Sequence, residues 1–220
     1  MIKVLYTLFS CGFIPSIKSA MILLVMSCFL APTFLLGSGL QTVELSPDLE
    51  SLSQSEMNAG PGRVKISYYL HYQPRMASNQ FAIWIEDADG NYIATVFATR
   101  YTAMGGYERR PLSLPEWRRA SDWGQAKSEY VDAVSGATPM SGWHANIWDC
   151  KDEHGRPVPP GRYFYRVEGN IFWENMVIWT GEIEISDSPD QSQAEPQYIP
   201  ERAHRKGILL EEVRAEFTPE

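Results

Sequence analysis

The sharpest chemical lead in the 220 residues is Asp132-Ala133-Val134-Ser135-Gly136-Ala137-Thr138-Pro139-Met140-Ser141. It sets the hydroxyls of Ser135, Thr138 and Ser141 among small residues, close in sequence to the Asp132 carboxylate. Pro139 favours an extended conformation for Thr138. Ser, Gly, Thr and Pro are also turn formers, so the same stretch serves equally well as a link between two strands. Other candidates carry less. Asp87, Asp89, Gly90 and Asn91 match the start of a calcium loop, but the twelfth position is Ala98 instead of a bidentate Glu. His71, His144, His154 and His204 are too scattered to form a local metal signature. Tyr107-Glu108-Arg109-Arg110 could recognise an anion, although adjacent charges more often mark a solvated loop. The sequence has no Gly-x-Ser-x-Gly elbow and no phosphate loop, which disfavours a hydrolase or a nucleotide enzyme.

Seven tryptophans offer stacking surfaces. Trp84, Trp148 and Trp179 fall in strand-like runs, where large aromatics fill a core. Trp117 and Trp123 lie outside such runs and are the expected exposed partner contacts.

These residues must be positioned by a fold of ordinary composition: 44% hydrophobic and 21% charged. A net charge of −8 with no basic stripe argues against nucleic acid as a partner. Residues 1–39 contain no Asp or Glu, two lysines (Lys3 and Lys18) and an apolar run over 20–36 that ends in Gly37-Ser38-Gly39. This is the layout of a secretory signal peptide, with an uncleaved anchor as the alternative. Export to the periplasm or beyond is therefore expected. Cleavage would leave Cys150 as the lone cysteine, unable to form an internal disulfide.

Residues 40–62 have the composition of a flexible linker. From Arg63 onward, Val64, Ile66, Tyr68 and Leu70 alternate with polar partners at a strand's period of two. Runs over 81–86 and 92–99 form a hairpin around Asp87-Ala88-Asp89-Gly90. Residues 100–130 interrupt the rhythm, and Ser113 with Glu116 predicts a capping box for a short helix. Strands resume over 143–149, 162–169 and 176–186. Together they predict one all-β domain over 63–186, an Ig-like antiparallel β-sandwich with a short helical insertion. Residues 187–220 are expected to be a mostly disordered tail outside the core, with a weak helical patch over 208–217.

Trp148-Asp149-Cys150-Lys151-Asp152-Glu153-His154-Gly155, followed by Val158-Pro159-Pro160-Gly161-Arg162-Tyr163-Phe164-Tyr165-Arg166-Val167, resembles the strand-turn-strand signature of the Ig-like domain of flagellar hook-cap proteins. Cys150 stands where that signature has Gly, a position that can require positive φ. The resemblance implies fold and not chemistry. A wider one, running over 64–185 and including 132–138, Gly142 and His144, is to a family of predicted periplasmic proteins of unknown function (domain of unknown function 2271). The segment 132–141 is also similar to the flavinylation motif of FMN-binding subunits of electron-transfer complexes, where a transferase joins the FMN phosphate to a Thr hydroxyl. That likeness implies Thr138 as acceptor, with Gly136 and Ala137 leaving room for the transferase and Asp132, Ser135 and Ser141 as motif neighbours. Met140 departs from the motif, which has Ser or Thr two places after the acceptor. Two functions are thus expected as alternatives: a redox carrier with covalent FMN, served by a flavin transferase and membrane redox proteins, or a non-catalytic module that binds an envelope protein or glycan.

Overall fold

The computed structural model describes residues 60–76 and 78–220. The expected signal peptide and most of the expected linker lie outside the described residues.

Among the described residues ten strands form two sheets. They are β1 (Gly62–Leu70), β2 (Gln80–Asp87), β3 (Tyr92–Thr99), β4 (Ser135–Gly136), β5 (Gly142–Trp148), β6 (Gly161–Phe172), β7 (Asn175–Ile185), β8 (Asp190–Gln193), β9 (Glu195–Ile199) and β10 (Leu210–Pro219). One sheet has the order β5-β1-β10-β8 and the other β4-β3-β2-β6-β7-β9. All neighbours are antiparallel except β3 and β4. The period of two in β1 has the predicted effect, since Val64, Ile66, Tyr68 and Leu70 all turn inward. There they meet Phe81, Ile83, Tyr165, Val167, Val177 and Ile183 from the facing sheet. The β-sandwich expected from the sequence is the fold observed.

The region after residue 186 departs from expectation. It is ordered into β8, β9, a 3-10 turn over Glu201–Lys206, and β10. β10 pairs with β1 along its whole length, from Gly62 opposite Pro219 to Leu70 opposite Leu210. Its Leu210, Val213, Ala215 and Phe217 are core residues. Strand, not helix, forms here because a β-bulge opposite Tyr68, with Glu212 at φ 50°, absorbs one residue. The bulge shifts the inward positions to 210, 213, 215 and 217. The spacing of Leu210, Val213 and Phe217 therefore imitates a helix.

The insertion contains α1 (Arg100–Ala103), α2 (Pro115–Ala120) and α3 (Ser128–Val134). It covers the outer face of β2 and β3 and makes a second core with Ala82, Trp84 and Ala98. Trp117 and Trp123 are its centre, 0% and 3% exposed, with ring centroids 4.4 Å apart. Trp117 Nε1 donates to Thr95 Oγ1 at 3.0 Å and Trp123 Nε1 to the Ala103 carbonyl at 2.9 Å. The two are therefore not the exposed contacts expected. Burying both rings and satisfying both indole N–H groups is what holds the insertion down. The expected capping box is also absent: Leu114, at φ 49°, is the N-cap, and Ser113 Oγ bonds Thr102 Oγ1 at 2.6 Å. The α2 amides are instead taken by the buried Glu168 carboxylate, which accepts from Trp117 N at 2.7 Å and Glu116 N at 3.4 Å.

Candidate functional site

The segment flagged by its chemistry is the crossover between the two sheets. Asp132 lies exposed on α3. Ser135 and Gly136 form β4, parallel to the end of β3, with Ser135 opposite Ala98 and Gly136 opposite Thr99. A Cβ on Gly136 would lie 2.6 Å from Phe97 Cε2, so any larger residue there has to displace the Phe97 ring. Ala137 is exposed and Thr138 half-buried as the chain crosses to β5. Ser141 Oγ accepts from Tyr72 N at 2.8 Å, and His144 Nε2 bonds the Met140 carbonyl at 2.7 Å, which ties the far side of the loop to the end of β1 and to β5.

Thr138 Oγ1 donates to the Asn79 carbonyl at 3.4 Å, a long and weak bond. Asn79 is itself clamped at φ 62°, its Oδ1 accepting from Gln73 N at 2.6 Å and its Nδ2 donating to Gln73 O at 2.6 Å. The hydroxyl thus sits against a braced loop on an open groove of about 520 Å³. Tyr72, Arg75, Met76, Arg110 and Met140 line the groove with it. Arg75 lies 5.7 Å from the Phe172 ring centroid and donates to the Lys206 carbonyl at 2.8 Å, while Arg110 lies 4.7 Å over the Tyr101 ring. Among the described residues neither guanidinium is in a salt bridge. A second cavity, of about 130 Å³, opens beside Pro111, Leu112, Asn170 and Trp173, and Gln80 and Arg110 line both spaces.

The fold brings Thr138 together with Arg110, which the sequence marks only through its charged neighbours, and with Arg75, which no local pattern marks. Asp132, Ser135, Gly136, Ala137 and Ser141 do not line the groove. The exposed tryptophans are Trp143 and Trp173, at 52% and 47%.

At the turn after β5, Cys150 has φ 54°, so the position that is glycine in the resembling signature keeps its left-handed backbone here with a side chain. Asp152 closes the turn, its Oδ1 accepting from His154 N at 2.8 Å and Arg156 N at 2.9 Å. This turn and the crossover are the two parts of the chain with a recognisable pattern, and both fall within the region shared with known sequences. No curated protein and no solved structure matches the chain. The profile of the family described as Predicted periplasmic protein (DUF2271) matches residues 63–199, from the first strand through β9, and the chain belongs to that family.

Proposed function

We propose that this exported protein is a redox carrier that holds FMN covalently on Thr138, loaded by a flavin transferase and exchanging electrons with a membrane redox protein. The observation that carries this reading is the placement of the Thr138 hydroxyl on one groove with two guanidiniums that have no carboxylate partner among the described residues. A phosphodiester at Thr138 keeps one negative charge, and guanidinium is the side-chain group best matched to phosphate oxygens. In the loading step the Thr138 oxygen attacks the flavin-side phosphorus of a flavin adenine dinucleotide. The P–O–P bond breaks, AMP leaves with the bonding pair, and the hydroxyl proton passes to a base of the transferase. No oxidation state changes, and besides its O–H bond the acceptor gives up only the 3.4 Å hydrogen bond to Asn79. Bound there, the flavin supplies reversible electron transfer that no side chain of this chain supplies. The rival reading, a binding module for an envelope protein or glycan, loses Trp117 and Trp123 as its contacts because both are core.

Coexpression with a flavin transferase in exported form should give yellow protein heavier by one FMN. Thr138→Ala should be colourless with an unchanged melting temperature, and Thr138→Ser should keep the label. Unmodified wild type from cells in which a known acceptor is labelled overturns the reading.

A further inference from the structure

We infer that the cavity beside Trp173 is the docking site for the flavin ring, with Arg110 at the passage from the attachment point; this rests on the proposed attachment at Thr138. The two spaces are adjacent, since Gln80 and Arg110 border both the groove that holds Thr138 and the smaller cavity. Together they offer what a phosphorylated heteroaromatic group requires: the groove carries Arg75 and Arg110, and the cavity, itself lined by Arg109 and Arg110, adds an apolar wall of Pro111, Leu112 and Trp173. Its floor is preformed. Asn170 Oδ1 accepts from Leu114 N at 3.1 Å and its Nδ2 donates to the Leu112 carbonyl at 3.1 Å, which fixes the wall against β6.

Trp173 supplies an independent observation. Phe172 pairs with Asn175, so only Trp173 and Glu174 form the hairpin loop between β6 and β7. Trp173 stands there at φ 49°. A positive φ at the first central position of a two-residue hairpin is normally given to glycine, and a bulky side chain in that region is an outlier. The strain gains only partial burial: Trp173 meets the Phe172 ring edge-on, with centroids 6.3 Å apart, yet stays 47% exposed, and Leu112, which lines the same cavity, is 49% exposed. A stacking partner explains why an indole is held at this position: a planar ring laid against Trp173 and Leu112 buries both.

The test uses the flavin-loaded protein. An indole stacked on a flavin quenches its emission, so loaded wild type should fluoresce several-fold less than free FMN. Trp173→Gly suits the turn and removes the ring, and it should raise the emission several-fold at unchanged label stoichiometry by mass. Leu112→Ser should raise it as well, while Trp143→Ala, on β5, should leave it unchanged. Equal emission from loaded wild type, Trp173→Gly and Leu112→Ser places the ring elsewhere and overturns this inference while the attachment stands. A wild type that takes no label overturns both.

Discussion

Cys150 combines a left-handed backbone with a fully buried thiol. Burial is the main cause that pushes the thiol up to about 12, and the neighbouring Asp149 carboxylate adds to it. Thiolate is the reactive form, so Cys150 should resist iodoacetamide in the folded protein and become fully alkylated on unfolding, as followed by mass. Rapid native alkylation would contradict this. Gly136 shows the opposite constraint. Gly136→Ala forces a methyl against Phe97 and should cost about 1–3 kcal/mol, read as a lower melting temperature. The same glycine lies in the segment that resembles the attachment motif, so its presence there already has a structural reason. Sequence spacing exposes Thr138 and its neighbours, but not Arg75, because the loop that carries it is brought to Thr138 only by the pairing of β1 with β5 and by the Asn79 clamp. Trp173 is hidden for a similar reason: its exposure comes from a two-residue turn and not from strand alternation.

Among the elements, α2 depends on a carboxylate donated from β6. Burial is the largest influence on Glu168 and raises it from 4.5 to about 7, against the pull of the Trp117 and Glu116 amides. With a folded value above the unfolded one, this group's contribution to stability is fully present below about pH 4.5. It declines as pH rises and is lost above about 7. At about 1.36 kcal/mol per unit the ceiling is about 3 kcal/mol. Glu168→Gln should remove that slope, so its melting temperature relative to wild type should rise between pH 4.5 and pH 8. A constant difference across that range would exclude Glu168 as the titrating group. β1 could be read from its period of two, and β2, β3, β5, β6 and β7 from β-rich runs bounded by turn residues. β10 could not, since its bulge rewrites the period. The burial of Trp117 and Trp123 does have a signal in β2, where Ala82 and Trp84 alternate with Phe81, Ile83 and Ile85. A strand apolar on both faces needs a cover on both.

For the molecule as a whole, β10 is an inner strand of its sheet, between β1 and β8. A chain ending at residue 206 loses Leu209, Leu210, Val213, Ala215 and Phe217 from the main core. It should give little soluble protein and no cooperative thermal transition, whereas a dispensable tail would leave both unchanged. The pairing of β1 with β10 has one more consequence. Gly62 lies opposite Pro219, and the Glu220 amide reaches the Pro61 carbonyl, so the polypeptide enters and leaves the domain at one corner. Thr138 lies by the loop that follows Leu70, eight residue steps away along β1, or roughly 26 Å at about 3.3 Å per step. Within the described residues the domain therefore has both chain ends at one pole and the Thr138 groove at the other. A tag joined after Glu220 starts at the far end of β1 from that groove.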